Sequence, residues 1–256
     1  MSLQDPHHSS SSDDDDIGDS RMGKEHPLDD SEAAQSSLAT SDVRDLRVPC
    51  YCEENVWRLA YRNVRNNPAN NKSYWVVFVS NEQRCCPMLA QRASACPDRP
   101  CFWDYHVIFL DDSAQVVWDV DSHMPFPCPV ADYLHGTFRN LEFLQDKHRA
   151  TYAPLFRVVR AELFLQYYYS DRRHMWDASQ KVWQAPPPSY ECIMTGWDGT
   201  TRDIHGNRSN LSQYIDMSKR ANDDDDDDDD VAGTETTATD IMGTVLTLDE
   251  FKSKFE

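Results

Sequence analysis

The sequence predicts an α+β fold in which a largely antiparallel sheet is packed between helices. Three observations carry this. Between Cys52 and Phe255, stretches with helical spacing of apolar residues alternate with short β-branched and aromatic runs. Two of those runs are separated only by Asp111-Asp112-Ser113-Ala114, a hairpin-length polar turn that makes their pairing antiparallel. The acidity lies outside these elements: of a formal charge of −19, residues 1–45 carry −9 and Asp223 to Asp230 carry −8, leaving the remainder nearly neutral at −2.

Taken in order, residues 1–45 are rich in Ser, Asp and His and lack apolar periodicity, so they read as a disordered acidic tail. Residues 46–256 read as one domain. From Cys52, residues Val56, Trp57, Ala60 and Val64 recur at helical spacing, with Glu53 and Glu54 in the first turn where the helix dipole favours acids. Asn66-Asn67-Pro68 stops that helix. Tyr74 to Val79 reads as a buried strand, Trp103 to Leu110 and Gln115 to Val120 as the hairpin, and Pro125, Pro127 and Pro129 as an irregular stretch. A helix over 131–145, a strand over Phe156 to Arg160 and a helix over 161–169 follow, then a stiff Pro186 to Pro188 connector. Leu211, Tyr214, Ile215 and Met217 suggest a short helix. Around 219–240 the Asp run repels itself and reads as a disordered acidic loop. Thr244 to Thr247 then form a strand, and Leu248 to Phe255 a closing helix with Leu248, Phe251 and Phe255 on one face.

Several classes are excluded. Excess acid without a basic stripe leaves no electrostatic footprint for nucleic acid or an anionic membrane surface. Tyr74 to Val79 is the longest apolar run, far short of the roughly 20 residues that span a bilayer. The polar, acidic start has no signal-peptide pattern, which points to cytosol or nucleus and to thiols rather than disulfides for the cysteines at 50, 52, 85, 86, 96, 101, 128 and 192. Cys85, Cys86, Cys96 and Cys101 lie close together but lack the C-x2-C spacing of zinc ribbons.

The hairpin is where chemistry enters. With the turn centred between Asp112 and Ser113, His106 faces Asp119, and opposed Cβ atoms about 4.5–5.5 Å apart let a carboxylate reach an imidazole nitrogen. A shift of two residues puts Asp121 there instead; the polar turn favours the first register. A carboxylate on one nitrogen fixes the tautomer and leaves the other as a base. Cys52, at a helix start, is a candidate nucleophile, because free N–H groups and the dipole stabilise a thiolate and an oxyanion.

Six ordered blocks extend this reading: Cys50-Tyr51-Cys52-Glu53-Glu54-Asn55-Val56-Trp57; Val79-Ser80-Asn81-Glu82; Trp103-Asp104-Tyr105-His106-Val107; Trp118-Asp119-Val120-Asp121 with Pro125-Phe126-Pro127-Cys128; Ser170-Asp171-Arg172-Arg173-His174-Met175; and Pro186-Pro187-Pro188. Together with the closing Leu246-Thr247-Leu248-Asp249-Glu250-Phe251, they resemble the protein N-terminal glutamine amidohydrolase family from about residue 50 to residue 255. The resemblance implies a monomeric cysteine hydrolase of the papain and transglutaminase-like type that converts N-terminal Gln of proteins or peptides to Glu and releases ammonia. It implies Cys52 as nucleophile, His106 as base and Asp119 as its partner, with no metal or cofactor. Location in cytoplasm and nucleus, and a place in the N-degron pathway, are implied in the same way. The Cys-rich 85–101 stretch, Met242 before Gly243 and the Asp run depart from the family pattern, and none of them removes a triad residue.

Recognition of a chain terminus calls for an anchor for a free α-ammonium. In the favoured register Asp104 faces Asp121, a pair that a cation between them would relieve; Glu53 and Glu54 are rivals, although first-turn acids ordinarily just complement the dipole. His174, beside Arg172 and Arg173, reads as a surface residue, and Trp57, Trp75, Trp103 and Trp118 as core. Two other readings stand: a peptidase or transglutaminase-like thiol enzyme, and a non-catalytic zinc-stabilised interaction module.

Overall fold

The computed structural model describes residues 46–199, 208–218 and 241–256. The expected acidic tail 1–45 and the acidic stretch 219–240 lie outside the described residues. Helix α1 (Cys52–Asn66) leads through a 3₁₀ turn (Pro68–Ser73) into β1 (Tyr74–Ser80). Then come β2 (Cys86–Met88), β3 (Cys101–Trp103), β4 (His106–Asp111), β5 (Val116–Trp118), β6 (Cys128–Pro129), α2 (Val130–Phe138) and α3 (Asp146–Tyr152). The chain continues through β7 (Leu155–Arg160), α4 (Ala161–Tyr167), the β8–β9 hairpin (Trp176–Asp177, Val182–Trp183) and α5 (Leu211–Tyr214), and closes with β10 (Thr244–Thr247) and α6 (Leu248–Phe255). The main sheet has the order β10-β7-β1-β4-β5-β6, antiparallel at every pairing, so the expected α+β class is what is found.

Helices cover both sheet faces, which is why β1 reads as an unbroken apolar run instead of an alternation. One face carries Val76, Phe78, Val107, Phe109 and Val159 against α1 and α4. The other carries Val77, Val79, Ile108, Leu110, Phe156 and Val158 against α2 and α6. Each of these side chains is essentially inaccessible, and complete burial of one is worth about 1.5–3 kcal/mol. The sheet is therefore a rigid middle layer from which the N-terminal end of β4 projects toward α1.

Gly243 is forced by β10: its φ is +66°, and a Cβ there would lie 2.0 Å from the Val158 carbonyl oxygen. Beneath it runs Arg157, buried on β7, whose guanidinium donates to the carbonyls of Tyr214, Asp216, Met242 and Gly243. One cation thus satisfies backbone acceptors on both sides of residues 219–240.

The structure corrects the sequence expectation at four places. The expected strand Trp103 to Leu110 is two strands, because Asp104 Oδ1 accepts the Tyr105 N–H (2.9 Å) and Asp104 O accepts Ser80 Oγ (2.6 Å), which breaks the ladder. Strand β3 pairs instead with β2 in a separate two-stranded sheet drawn from the Cys-rich segment. The expected helix 131–145 stops at Phe138 and continues as a 3₁₀ turn (Arg139–Phe143), where Arg139 Nη1 takes the Gly136 carbonyl at 2.6 Å. The hairpin loop is Asp112 to Gln115, with Gln115 at φ 52°, so Asp111 pairs with Val116 and Leu110 with Val117. That is the register two residues away from the favoured one.

Candidate active site

Cys52 is the first residue of α1 and is almost completely buried. The N-cap, Tyr51, makes no side-chain cap, and the amides of the first turn have no acceptor within the helix. The Val107 N–H lies within hydrogen-bonding reach of the thiol, so the sulfur sits beside the peptide that follows His106. On its other side is Glu53, whose Oε2 is 3.6 Å from Sγ. Burial, then the charges of Glu53 and Asp121, push the thiol well above its ordinary value, against the Val107 N–H. Burial and the neighbouring anions thus work against the thiolate that the helix end favours.

His106 begins β4 and is fully buried. Its Nε2 lies 3.0 Å from Asp119 Oδ1, and its Nδ1 has no hydrogen-bond partner among the described residues. A proton on Nε2 shared with Asp119 leaves the Nδ1 lone pair vacant, the arrangement of a base. Burial opposes the imidazolium, but the charge and hydrogen bond of Asp119 outweigh it, and the basicity of His106 is raised. Reciprocally, His106 and the hydrogen bonds from Tyr133 and the Asp121 amide overcome burial and hold Asp119 below its usual range. Trp103 stacks on the imidazole, with centroids 5.2 Å apart and planes at 25°.

Asp119 reaches His106 by a route other than the ladder. In the observed register, continuation of β5 would bring Asp121 opposite His106. Instead β5 ends at Trp118, and Asp119 Oδ1 accepts the Asp121 N–H (2.9 Å), turning the chain so that Asp119 itself meets the imidazole. Tyr133 of α2 donates to Asp119 Oδ2 at 2.8 Å and fixes the carboxylate from the opposite side.

The opposed Asp104–Asp121 pair does not exist. Asp104 is exposed and bonded to its own neighbour's amide, whereas Asp121 is buried with Oδ1 2.7 Å from Arg47 Nε. Glu54 is buried in a bidentate pair with Arg172 (2.8 and 2.9 Å), and Arg172 also donates to the carbonyls of Pro188, Tyr190 and Glu191. Burial nevertheless leaves Glu54 raised despite Arg172. Asn55 brackets Val48 through both its amide oxygen and nitrogen, each at 2.9 Å. Glu53 has no accessible surface; Oε2 accepts from Tyr105 Oη (3.1 Å), and Oε1 is 3.5 Å from His174 Nε2.

Sequence reasoning missed Tyr105, Tyr133, Trp103, Arg47 and Arg172 as parts of this site; His174 is exposed as expected, but its side chain also reaches Glu53. Position in the sequence gave no signal for Tyr133 or Arg172, since each arrives from a distant element. Among the described residues all the cysteines are free and no three His, Cys, Asp or Glu side chains form a potential metal-binding group. No described helix is long and apolar enough to cross a membrane.

An α+β scaffold that carries a buried cysteine at a helix start and a histidine paired with a buried carboxylate has the elements of the cysteine-hydrolase class. The sequence model of the N-terminal glutamine amidase family matches residues 47–255, and the chain belongs to that family. It is 37% identical over 190 residues to the protein N-terminal glutamine amidohydrolase of Bos taurus, a match covering 72% of this chain and 84% of that one. The Arabidopsis thaliana enzyme of the same name is 39% identical over 195 residues (73% and 82%), and the Homo sapiens one is 32% identical over 209 residues (80% and 85%).

Proposed function

We propose that this protein deamidates the side chain of an N-terminal glutamine in proteins and peptides, giving N-terminal glutamate and ammonia. The observation that carries the reading is the buried His106–Asp119 pair with no partner for Nδ1 among the described residues, in a chain of the N-terminal glutamine amidase family that also has a buried cysteine at a helix start. In this reading His106 Nδ1 takes the Cys52 proton and Sγ attacks the side-chain Cδ of Gln. The amides of the first turn of α1 face the tetrahedral oxyanion. The C–N bond breaks as His106 returns the proton to the departing nitrogen, leaving a thioester and ammonia. Water, deprotonated by the same imidazole, adds to the thioester; the C–S bond breaks, and the carboxylate and the thiol are released.

Asp119 and Tyr133 act by holding the imidazole in one tautomer and one plane. The resemblance to the papain and transglutaminase type, action as a monomer, location in cytoplasm and nucleus, and supply of N-terminal Glu to the N-degron pathway belong to the same proposal. They rest on the family alone. Ammonia release from matched peptides beginning with Gln, Asn and acetyl-Gln tests the function directly. Turnover is expected only with free N-terminal Gln and is expected to vanish in Cys52→Ala; release by that variant would overturn the assignment.

A further inference from the structure

We propose that Glu53 is the counter-ion for the substrate's free α-ammonium, and that seating the ammonium on Glu53 frees the Cys52 proton which this carboxylate holds in the unliganded protein. The inference rests on the function proposed above and assigns the feature of that site which selects a chain terminus. Four carboxylates are candidates. Asp104 is exposed, Asp121 is paired with Arg47, and Glu54 is held by both arms of Arg172. Among the described residues Glu53 is paired with no Arg or Lys, only with the His174 imidazole. It is fully buried, Oε2 is occupied by Tyr105 and the thiol, and Oε1 makes no hydrogen bond among the described residues. His174 Nε2 lies 3.5 Å from Oε1, on a side chain that is a quarter exposed and so opens toward solvent. A buried carboxylate with one oxygen unbonded is a receptor for a cationic donor.

The dimensions suit glutamine. In a Gln residue the α-nitrogen and Cδ are at most about 5 Å apart. Sγ attacks from about 3–3.5 Å, and an ammonium bonds to a carboxylate oxygen at about 2.8 Å. With Sγ and Oε2 3.6 Å apart, one Gln spans from Oε1 to the thiol. Acetyl-Gln and internal Gln carry no charge to place on Glu53. One side chain therefore serves both discriminations.

The same contact acts on the nucleophile. Glu53 is the acceptor facing the thiol, and its negative charge is, after burial, the largest influence holding Cys52 protonated. An ammonium on Glu53 cancels that charge and draws the carboxylate away from the sulfur. The Sγ–H proton then passes to the vacant Nδ1 of His106, giving a thiolate–imidazolium pair with no net proton gained or lost. Binding of the correct terminus thus switches on the attacking group, and an uncharged terminus leaves it off.

Two measurements on the full chain test this. Glu53→Gln is expected to raise the rate of Cys52 alkylation by iodoacetamide at neutral pH about tenfold or more, and to narrow by a similar factor the kcat/KM preference for Gln- over acetyl-Gln-initiated peptide, while Glu53→Asp keeps the preference. A merely structural role would slow both peptides equally and would not speed alkylation. Should the variants fail to fold, the unmodified protein supplies the second measurement: glycinamide, which carries an α-ammonium, is expected to accelerate iodoacetamide alkylation of Cys52, and acetylglycinamide is not. Unchanged alkylation with glycinamide, or an unchanged preference in Glu53→Gln, overturns the proposal. Absence of ammonia release from any Gln peptide by the unmodified protein would instead overturn the function, and the alkylation result would still report on Glu53 and Cys52.

Discussion

Helices α1 and α6 begin with the same sequence signature, paired acids in the first turn, and use it in opposite ways. At α6, Thr247 and Glu250 form a reciprocal capping box: Thr247 Oγ1 accepts the Glu250 amide at 3.3 Å, and Glu250 Oε2 accepts the Thr247 amide at 2.7 Å. Those acids are solvent-facing and serve the helix. At α1 there is no side-chain cap, and Glu53, Glu54 and Asn55 are all fully buried. Glu54 is tied to Arg172, Asn55 to Val48, and Glu53 to the thiol and Tyr105. An acid at a helix start thus reports helix electrostatics when it is exposed and site construction when it is buried.

Substitutions at the two ends sharpen the contrast. The largest effect is expected for Asp119→Asn, which leaves His106 without the anion that orients it. kcat should fall by up to roughly 10⁴. Because neutral His106 is the base and Asp119 raises its basicity, turnover of the unmodified enzyme should decline as pH falls through a value above about 6.5. In Asp119→Asn only the weaker charges of Asp121 and Glu53 still oppose burial, so the acid limb should move to lower pH; a limb that stays in place in a pH–rate profile would remove His106 from the role.

Next comes Arg172→Ala, which strands Glu54 in the interior and is expected to cost about 3–5 kcal/mol in urea unfolding. The corresponding change at α6, Thr247→Ala, should cost only about 1 kcal/mol and leave kcat/KM for Gln peptides unchanged. Comparable stability losses at the two ends would break the comparison. The smallest effect is expected for Tyr133→Phe, which removes one hydrogen bond to Asp119 while His106 and the Asp121 amide still hold that carboxylate; kcat should drop by about tenfold or less.

The fold was legible where periodicity is strong. Helices α1 and α6 follow from apolar residues at the helical period, and strands β1, β7 and β10 from short β-branched and aromatic runs. Strands β2 and β3 were not legible, because Cys86-Pro87-Met88 is too short for a period to register. In the site, Cys52, His106 and Asp119 were named from spacing and resemblance, but the expected reason for the His106–Asp119 contact was wrong. The turn takes in Gln115, the register moves by two, and a side-chain turn at Asp119 restores the contact. Spacing along two strands cannot reveal that second adjustment, since it depends on where β5 ends. The same limit hid Arg47 and Arg172, which arrive from other parts of the chain and decide which carboxylates are already neutralised.

Arg157 bears on how this chain tolerates change in length. Its guanidinium gathers carbonyls from residues 214 and 216 on one side and 242 and 243 on the other, so the described segments on either side of residues 219–240 are held to one side chain. The entropy of joining two points already pinned together grows only logarithmically with the residues between them, about 0.6 kcal/mol for each doubling. Lengthening or shortening the Asp223 to Asp230 run is therefore expected to shift the midpoint of urea unfolding only slightly, and a large shift would show that the run is tied to the domain in its own right.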